Sequence, residues 1–376
     1  MRVPQIRPGL RRSLALGALT LLTPAIAFAH VDHGAADEFT WNVWSLTPDI
    51  IIATLLAGGV YIAGMRRRSP AARRPWRDVA YFSGVAAVFV ALATPLDHMA
   101  EHLFSMHQIQ HMLLRMVAPM LIALSAPQAM LISGLPAPLR RGALAPLAGS
   151  GPIRAMFGFL MRPVPVTILF IAALVVWEYP PYHDAALLND GIHYTMHVTM
   201  LAAGLMFFWR IFDIRPAPAG AGYGTRLMML WIVMLSNIAL GAYTTLKGQI
   251  LYPAYDVVGR LFDVHALTDE TVGGFIIWVP STMMCVAALI VVIHMWGRQE
   301  ERSEERRLAR PDLMATPTTG AALVAQAASK NKMLALGVAG FALAMFVSAF
   351  AVGVIEHIEV HARDHARLAH FAGVAK

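Results

Sequence analysis

Charged residues are scarce in this 376-residue chain: Asp, Glu, Lys and Arg make up 14% of it, against about 25% in an average soluble domain. With 57% hydrophobic residues, that shortage excludes an ordinary soluble enzyme and any disordered or fibrous class. Cysteine is almost missing. Cys285 stands alone, which excludes a disulfide scaffold, a CxxC redox pair and a thiolate metal cluster. No phosphate-binding glycine loop, GxSxG elbow, HExxH helix or internal repeat is present. Acids are absent from the first 29 residues, which hold Arg2, Arg7, Arg11 and Arg12. Those four arginines supply more than half of the net charge of +7, so the basic balance is not a sign of nucleic-acid binding. What the chain does have is 15 histidines and 22 methionines.

The first segment has the three parts of a secretory signal peptide. They are a basic start, an apolar run from Ser13 to Phe28, and a small-x-small site at Ala27-Phe28-Ala29. An uncleaved anchor is the alternative. Either way residue 30 emerges on the outer face. Crossing about 30 Å of hydrocarbon takes about 20 apolar residues in a helix. Eight spans are expected after the signal: 48–65, 79–96, 108–134, 163–179, 192–212, 227–246, 272–296 and 333–355. The expected fold is therefore all-α, a polytopic membrane helix bundle. Pro119, Pro127 and Pro280 are expected to kink their spans. The inner loops then hold twenty Lys and Arg and the outer segments five, a strong positive-inside bias. Residues 301–332 open as a solvated charge run and become an Ala/Thr-rich cytoplasmic linker. Residues 333–376 add the last span and a histidine-rich tail.

On this topology all histidines except His294 fall in the outer layer, where random placement would have split them. His98/His102, His107/His111 and His193/His197 are spaced i, i+4, which puts each pair on one helix face. Such pairs can chelate a metal, since imidazole suits copper, zinc, iron and nickel. For a single pair the bland alternative is an interfacial histidine satisfied by water. On a continuous helix His98/His102 would face away from His107/His111. The chain therefore bends within Leu103 to Met106, or the two pairs serve different sites. Arg115 extends the 107/111 ladder into the membrane, with Glu178 or Asp269 as candidate counter-ions. Met112, Met116 and Met120 form a stripe beside it, read either as soft ligands or as packing. Met283, Met284 and Cys285 rank lower. His357, His361 and His365 lie along one stripe of the tail, which also reads as a surface amphipathic segment.

Three ordered stretches carry a resemblance. SMHQIQHMLLRMVAPMLIALSAPQAMLISGLP (105–136), YHDAALLNDGIHYTMHVTMLAAGLMFFW (182–209), and LYPAYDVV (251–258) with DETVGGFIIWVP (269–280) are similar to the motifs of the CtaG family, assembly factors for caa-type cytochrome c oxidase. The resemblance covers about residues 41–300. It departs from the family at Glu270, where the pattern has Gln, and in the last span and tail. It implies a seven-helix membrane domain over 30–300, needed to make active oxidase by helping copper reach the enzyme, with no catalytic turnover. The expected setting is the bacterial inner membrane with the metal-rich face periplasmic. The expected partners are cytochrome c oxidase subunits, a periplasmic copper donor and the lipid bilayer. Copper is the expected metal, with His107, His111, His193 and His197 the leading ligands and His98, His102 and Asp269 behind them. A haem protein and a copper permease remain open as alternatives.

Overall fold

The structure is a computed structural model that describes residues 44–69, 74–215, 220–308 and residue 340. The signal segment, the expected eighth span and the histidine tail lie outside the described residues, as do His30 and His33. The chain divides into two units at Trp296/Gly297. The site lies in the first; of the second, only the end of one long helix and residue 340 are described.

Among the described residues there is no strand. The helices are α1 (Pro48–Arg67), α2 (Pro75–Ala93), α3 (Pro95–His102), α4 (Phe104–Met112), α5 (Ala118–Ser125) and α6 (Gln128–Gly134). After short helical turns come α7 (Gly151–Leu160), α8 (Pro163–Val175), α9 (Pro180–Leu187), α10 (Asp190–Ile211), α11 (Tyr223–Leu246), α12 (Ala254–Val258) and α13 (Ala266–Leu308). Proline mostly starts these helices. Pro48, Pro75, Pro95, Pro163 and Pro180 each open one, where the missing N–H has no partner to lose and φ is already set. Asn189 caps α10, its side chain accepting from Ile192 N at 3.1 Å, with Asp190 in the first turn to favour the dipole.

Among the described residues four helices are long and apolar enough to cross a membrane: α1, α2, α11 and Ala266–Arg306 of α13. Two bent pairs, Phe104–Ser125 with α6 (77°) and α7 with α8 (72°), raise the number to six. Eight spans were expected; the eighth lies outside the described residues, and among those described the count of four to six has a physical reason. The first bend falls at Ala126, in the left-handed region at φ 50°, followed by Pro127. The fifth expected span, α10, has 22 residues, about 33 Å at 1.5 Å per residue. Its first half carries Asp190, His193 and His197, and it falls short in apolarity. Pro280 lies inside α13, which continues through it without a break.

Between α4 and α5 lies a π turn, Leu113–Val117, in which Ala118 N–H bonds back to Leu113 O. Such turns recur beside functional sites, and this one begins two residues after His111. Across it runs α10. A Cβ at Gly204 would meet the Arg115 carbonyl and the Pro119 ring, so only glycine allows this close approach. His197 lies seven residues before Gly204, and His107 and His111 lie eight and four before Arg115. The two helices run the same way, so the Gly204 crossing brings His197 alongside the α4 histidines. On the other flank α1 packs on α6 and α2 on α5, around a stacked Tyr61–Tyr81 pair with centroids 3.9 Å apart.

Candidate metal centre

Three elements converge on one group of imidazoles. His107 and His111 come from α4, His183 from α9, and His193 and His197 from α10. Ring centroids stand 4.3 Å apart for His107–His111, 4.4 Å for His193–His197, 5.2 Å for His107–His193 and 5.9 Å for His111–His197. One ligand nitrogen each from His107, His111 and His197 lie within 4.8 Å of one another. Three nitrogens bound at about 2.0 Å to a single ion stand closer than that, so modest side-chain rotation would close the set. His107 is fully buried and His111 and His197 are 2% and 8% exposed. Around them lies an apolar shell including Phe104, Leu174, Met196, Met200, Tyr252 and Tyr255.

Among the described residues, several ring nitrogens of this group have no hydrogen-bond partner. They are His107 Nε2, His193 Nε2, His197 Nε2 and both nitrogens of His111. A buried polar atom left unpaired costs about 1–3 kcal/mol, so such a concentration disfavours the fold unless something else meets these nitrogens. A soft or borderline metal ion would do so, and an all-imidazole set suits copper or zinc.

The tautomer of His107 follows from a chain of contacts. The Trp177 carbonyl can only accept, so His183 Nδ1–H donates to it at 3.1 Å. His183 Nε2 is then an acceptor and takes the Tyr255 O–H at 2.9 Å. The Tyr255 oxygen in turn accepts from His107 Nδ1–H at 2.8 Å. His107 Nε2 is left as a bare lone pair facing the centre, the form in which imidazole binds metal. His183 stays neutral for this role: burial pushes its pKa down to about 4, partly opposed by Glu178. Glu178, 3% exposed, stands with Oε1 3.5 Å from His111 Nδ1. That is an ion-pair separation rather than a hydrogen bond, and it favours a proton on Nδ1 and a lone pair on Nε2 in His111 too.

The expected residues divide cleanly. His107, His111, His193 and His197 come together. His98 and His102 are paired elsewhere, on α3, with centroids 4.7 Å apart. The chain breaks between the pairs at Leu103, which is extended at φ −136°, ψ 122°. Asp269 is not among the histidines. Its Oδ2 accepts from Phe104 N at 2.8 Å and its Oδ1 from Ser105 N at 2.9 Å, while Arg260 Nη1 donates to Oδ2 at 2.5 Å. It caps α4. Glu270 does the same for the 247–252 loop, accepting from Leu251 N and Tyr252 N at 2.9 and 3.0 Å and pairing with Lys247. Arg115 uses neither expected counter-ion. It donates to the Phe170 carbonyl and to Asn237 Oδ1 at 3.2–3.4 Å, with its guanidinium 3.9 Å from the Phe170 ring centroid. Met116 is buried with Met112 and Met120 half-buried, Met283 is exposed and Cys285 is buried. The sequence reading gave no role to His183 or Tyr255, although both lie in the quoted motifs.

Comparison with known proteins decides the family. The model of the cytochrome c oxidase caa3 assembly factor family matches residues 59–299. The chain belongs to that family. The match includes all five histidines of the centre, together with Tyr255 and Asp269. Among curated proteins, an uncharacterised protein of Mycobacterium leprae is 26% identical over 274 residues, covering 70% of this chain and 40% of that protein. One of Mycobacterium bovis is 26% identical over 281 residues with the same coverage. The chain thus spans about two fifths of the length of these relatives. No solved structure matches it.

Proposed function

We propose that this caa3 assembly factor takes up copper at the periplasmic face of the bacterial inner membrane and helps it reach cytochrome c oxidase, without catalytic turnover. The convergence of buried, unpartnered nitrogens from His107, His111 and His197 carries the reading. The centre offers imidazole with methionine packed close by and no thiolate. Metal bound this way is exchangeable, because protonation of imidazole releases it. The copper is cargo, received from a periplasmic donor and passed to oxidase subunits. Deletion of the gene, followed by oxidase assay with and without added copper, is the test. Activity should fall in the deletion strain and recover in part with excess copper. Full activity at limiting copper would refute the reading. A Soret band in the purified protein would favour a haem protein instead, and copper uptake into sealed vesicles a permease.

The charge bias supports the orientation, and it predicts a labelling pattern. Gln249 is exposed in the loop after α11 and Glu301 is exposed near the end of α13. In intact cells stripped of their outer membrane, Gln249→Cys should react with an impermeant thiol reagent and Glu301→Cys should not. The native Cys285 is buried and gives little background. The reverse pattern would put the histidines on the cytoplasmic side.

Tyr255→Phe removes only the hydroxyl between His183 and His107. Loss of such an outer bond typically weakens metal binding by about 10–100-fold. That fall is expected in a chelator competition titration, with the protein at normal abundance. Wild-type affinity would show that His107 does not need the bond.

A further inference from the structure

A second cluster of ligand atoms sits on α3, and the centre described above uses none of it. His98, Glu101 and His102 each offer one atom, all within 4.8 Å of one another. Their i, i+3, i+4 spacing on an eight-residue helix puts them on one face. His102 is buried, while His98 and Glu101 are half-buried, so this cluster is more open than the imidazole centre. His102 is held in a fixed orientation. Its Nδ1–H donates to the Gly259 carbonyl at 2.6 Å, which leaves Nε2 as the lone pair available to a metal. That carbonyl is placed by an unusual backbone: Gly259 has φ 97°, a conformation side-chain-bearing residues rarely adopt.

The charges around the cluster favour a cation. Asp97 and Asp190 lie close enough to act on the charge of Glu101. Among the described residues no Lys or Arg forms an ion pair with Glu101, Asp97 or Asp190. Three acids thus influence one another beside two imidazoles, with no basic side chain paired to them among the described residues. Two imidazoles and a carboxylate are a ligand set for a divalent transition ion. The hard carboxylate distinguishes it from the all-imidazole centre and disfavours Cu(I), which prefers soft ligands.

We propose that His98, Glu101 and His102 form a second metal site, shallower than the first, that takes a divalent transition ion, Cu2+ or Zn2+. It shares no residue with the deep centre, and Leu103 separates the two helices that carry them. The site is independent of the proposed function: it stands or falls on metal binding alone.

The test uses the full chain purified in detergent and titrated with Cu2+ and, separately, with Zn2+ as a redox-silent probe. The wild type should bind two equivalents. His98→Ala and Glu101→Gln change half-buried residues and spare the bond from His102 to Gly259, so the fold is expected to survive. Each should weaken one equivalent by roughly tenfold or more and leave the other intact. The double variant His107→Ala/His111→Ala should keep the shallow equivalent, with a Cu2+ electron paramagnetic resonance signal showing both nitrogen and oxygen ligation. Two results would sink the proposal. One is unchanged binding in both His98→Ala and Glu101→Gln. The other is loss of every equivalent in the 107/111 double variant while the protein remains folded, which would show one site where two are proposed.

Discussion

His107→Ala/His111→Ala is expected to abolish oxidase maturation while the protein remains in the membrane at near-normal abundance. Two of the three converging nitrogens are lost together, so the deep centre loses its whole α4 side and keeps only the His193/His197 pair of α10. The stability cost is small for a specific reason. Truncating a buried side chain normally leaves a cavity. Here it also removes ring nitrogens that the fold leaves unpaired, each of which costs about 1–3 kcal/mol to bury. The two effects oppose one another. The one bond lost is that of His107 to Tyr255, whose hydroxyl still has His183 as its acceptor. Copper bound to the purified protein should therefore fall by one equivalent with little change in thermal stability. His197→Ala should weaken the same equivalent, its abundance likewise unchanged. If the double variant keeps its full copper content, these histidines are not ligands, and they would be better explained as docking contacts for the oxidase. If maturation also persists, the centre has no part in the function.

The histidine spacing was legible because helical periodicity is local. A pair at i, i+4 shares a face whatever surrounds it, so 107/111 and 193/197 could be chosen before any packing was known. The need for a turn between His102 and His107 was legible on the same ground, and Leu103 supplies it. What could not be read is what long-range packing decides. His183 sits in an eight-residue helix with no histidine one turn away, so nothing local ties it to His107. Tyr255 looks like any interfacial aromatic until His183 and His107 are placed on either side of its hydroxyl. Arg115 was matched to acids because a buried cation suggests a buried anion, yet its partners are a carbonyl, an amide and an aromatic face, which leave no charge signal in a sequence. The span count among the described residues is lower where a bend breaks an apolar run or polar residues dilute one. A hydropathy window does not see the left-handed residue at Ala126, and it passes over the histidines that dilute the first half of α10.

Asp269 is where a ligand and a cap make opposite predictions, and Asp269→Ala separates them. As a metal ligand it would be dispensable for folding, and its loss would lower copper content at normal abundance. The contacts indicate the other outcome. Its carboxylate accepts the first two backbone N–H groups of α4, 165 and 164 residues away in sequence, and it pairs with a largely buried Arg260. Removing it leaves two orphaned donors at the start of the helix that carries His107 and His111. A lost cap alone costs about 1 kcal/mol, and breaking one partner of a buried ion pair costs about 3–5 kcal/mol. Either is a large fraction of a typical stability of about 5–15 kcal/mol. Asp269→Ala should therefore deplete the protein from the membrane and lower its thermal midpoint in detergent, and added copper should not restore oxidase maturation. Asp269→Asn retains one acceptor oxygen for a backbone N–H but not the charge for Arg260, so its midpoint should fall between wild type and Asp269→Ala. Glu270→Ala should resemble Asp269→Ala, because it releases Lys247 and the 251–252 backbone in the same way. A stable, abundant Asp269→Ala protein with one copper missing would return this carboxylate to the metal and leave α4 to be held by its apolar packing alone.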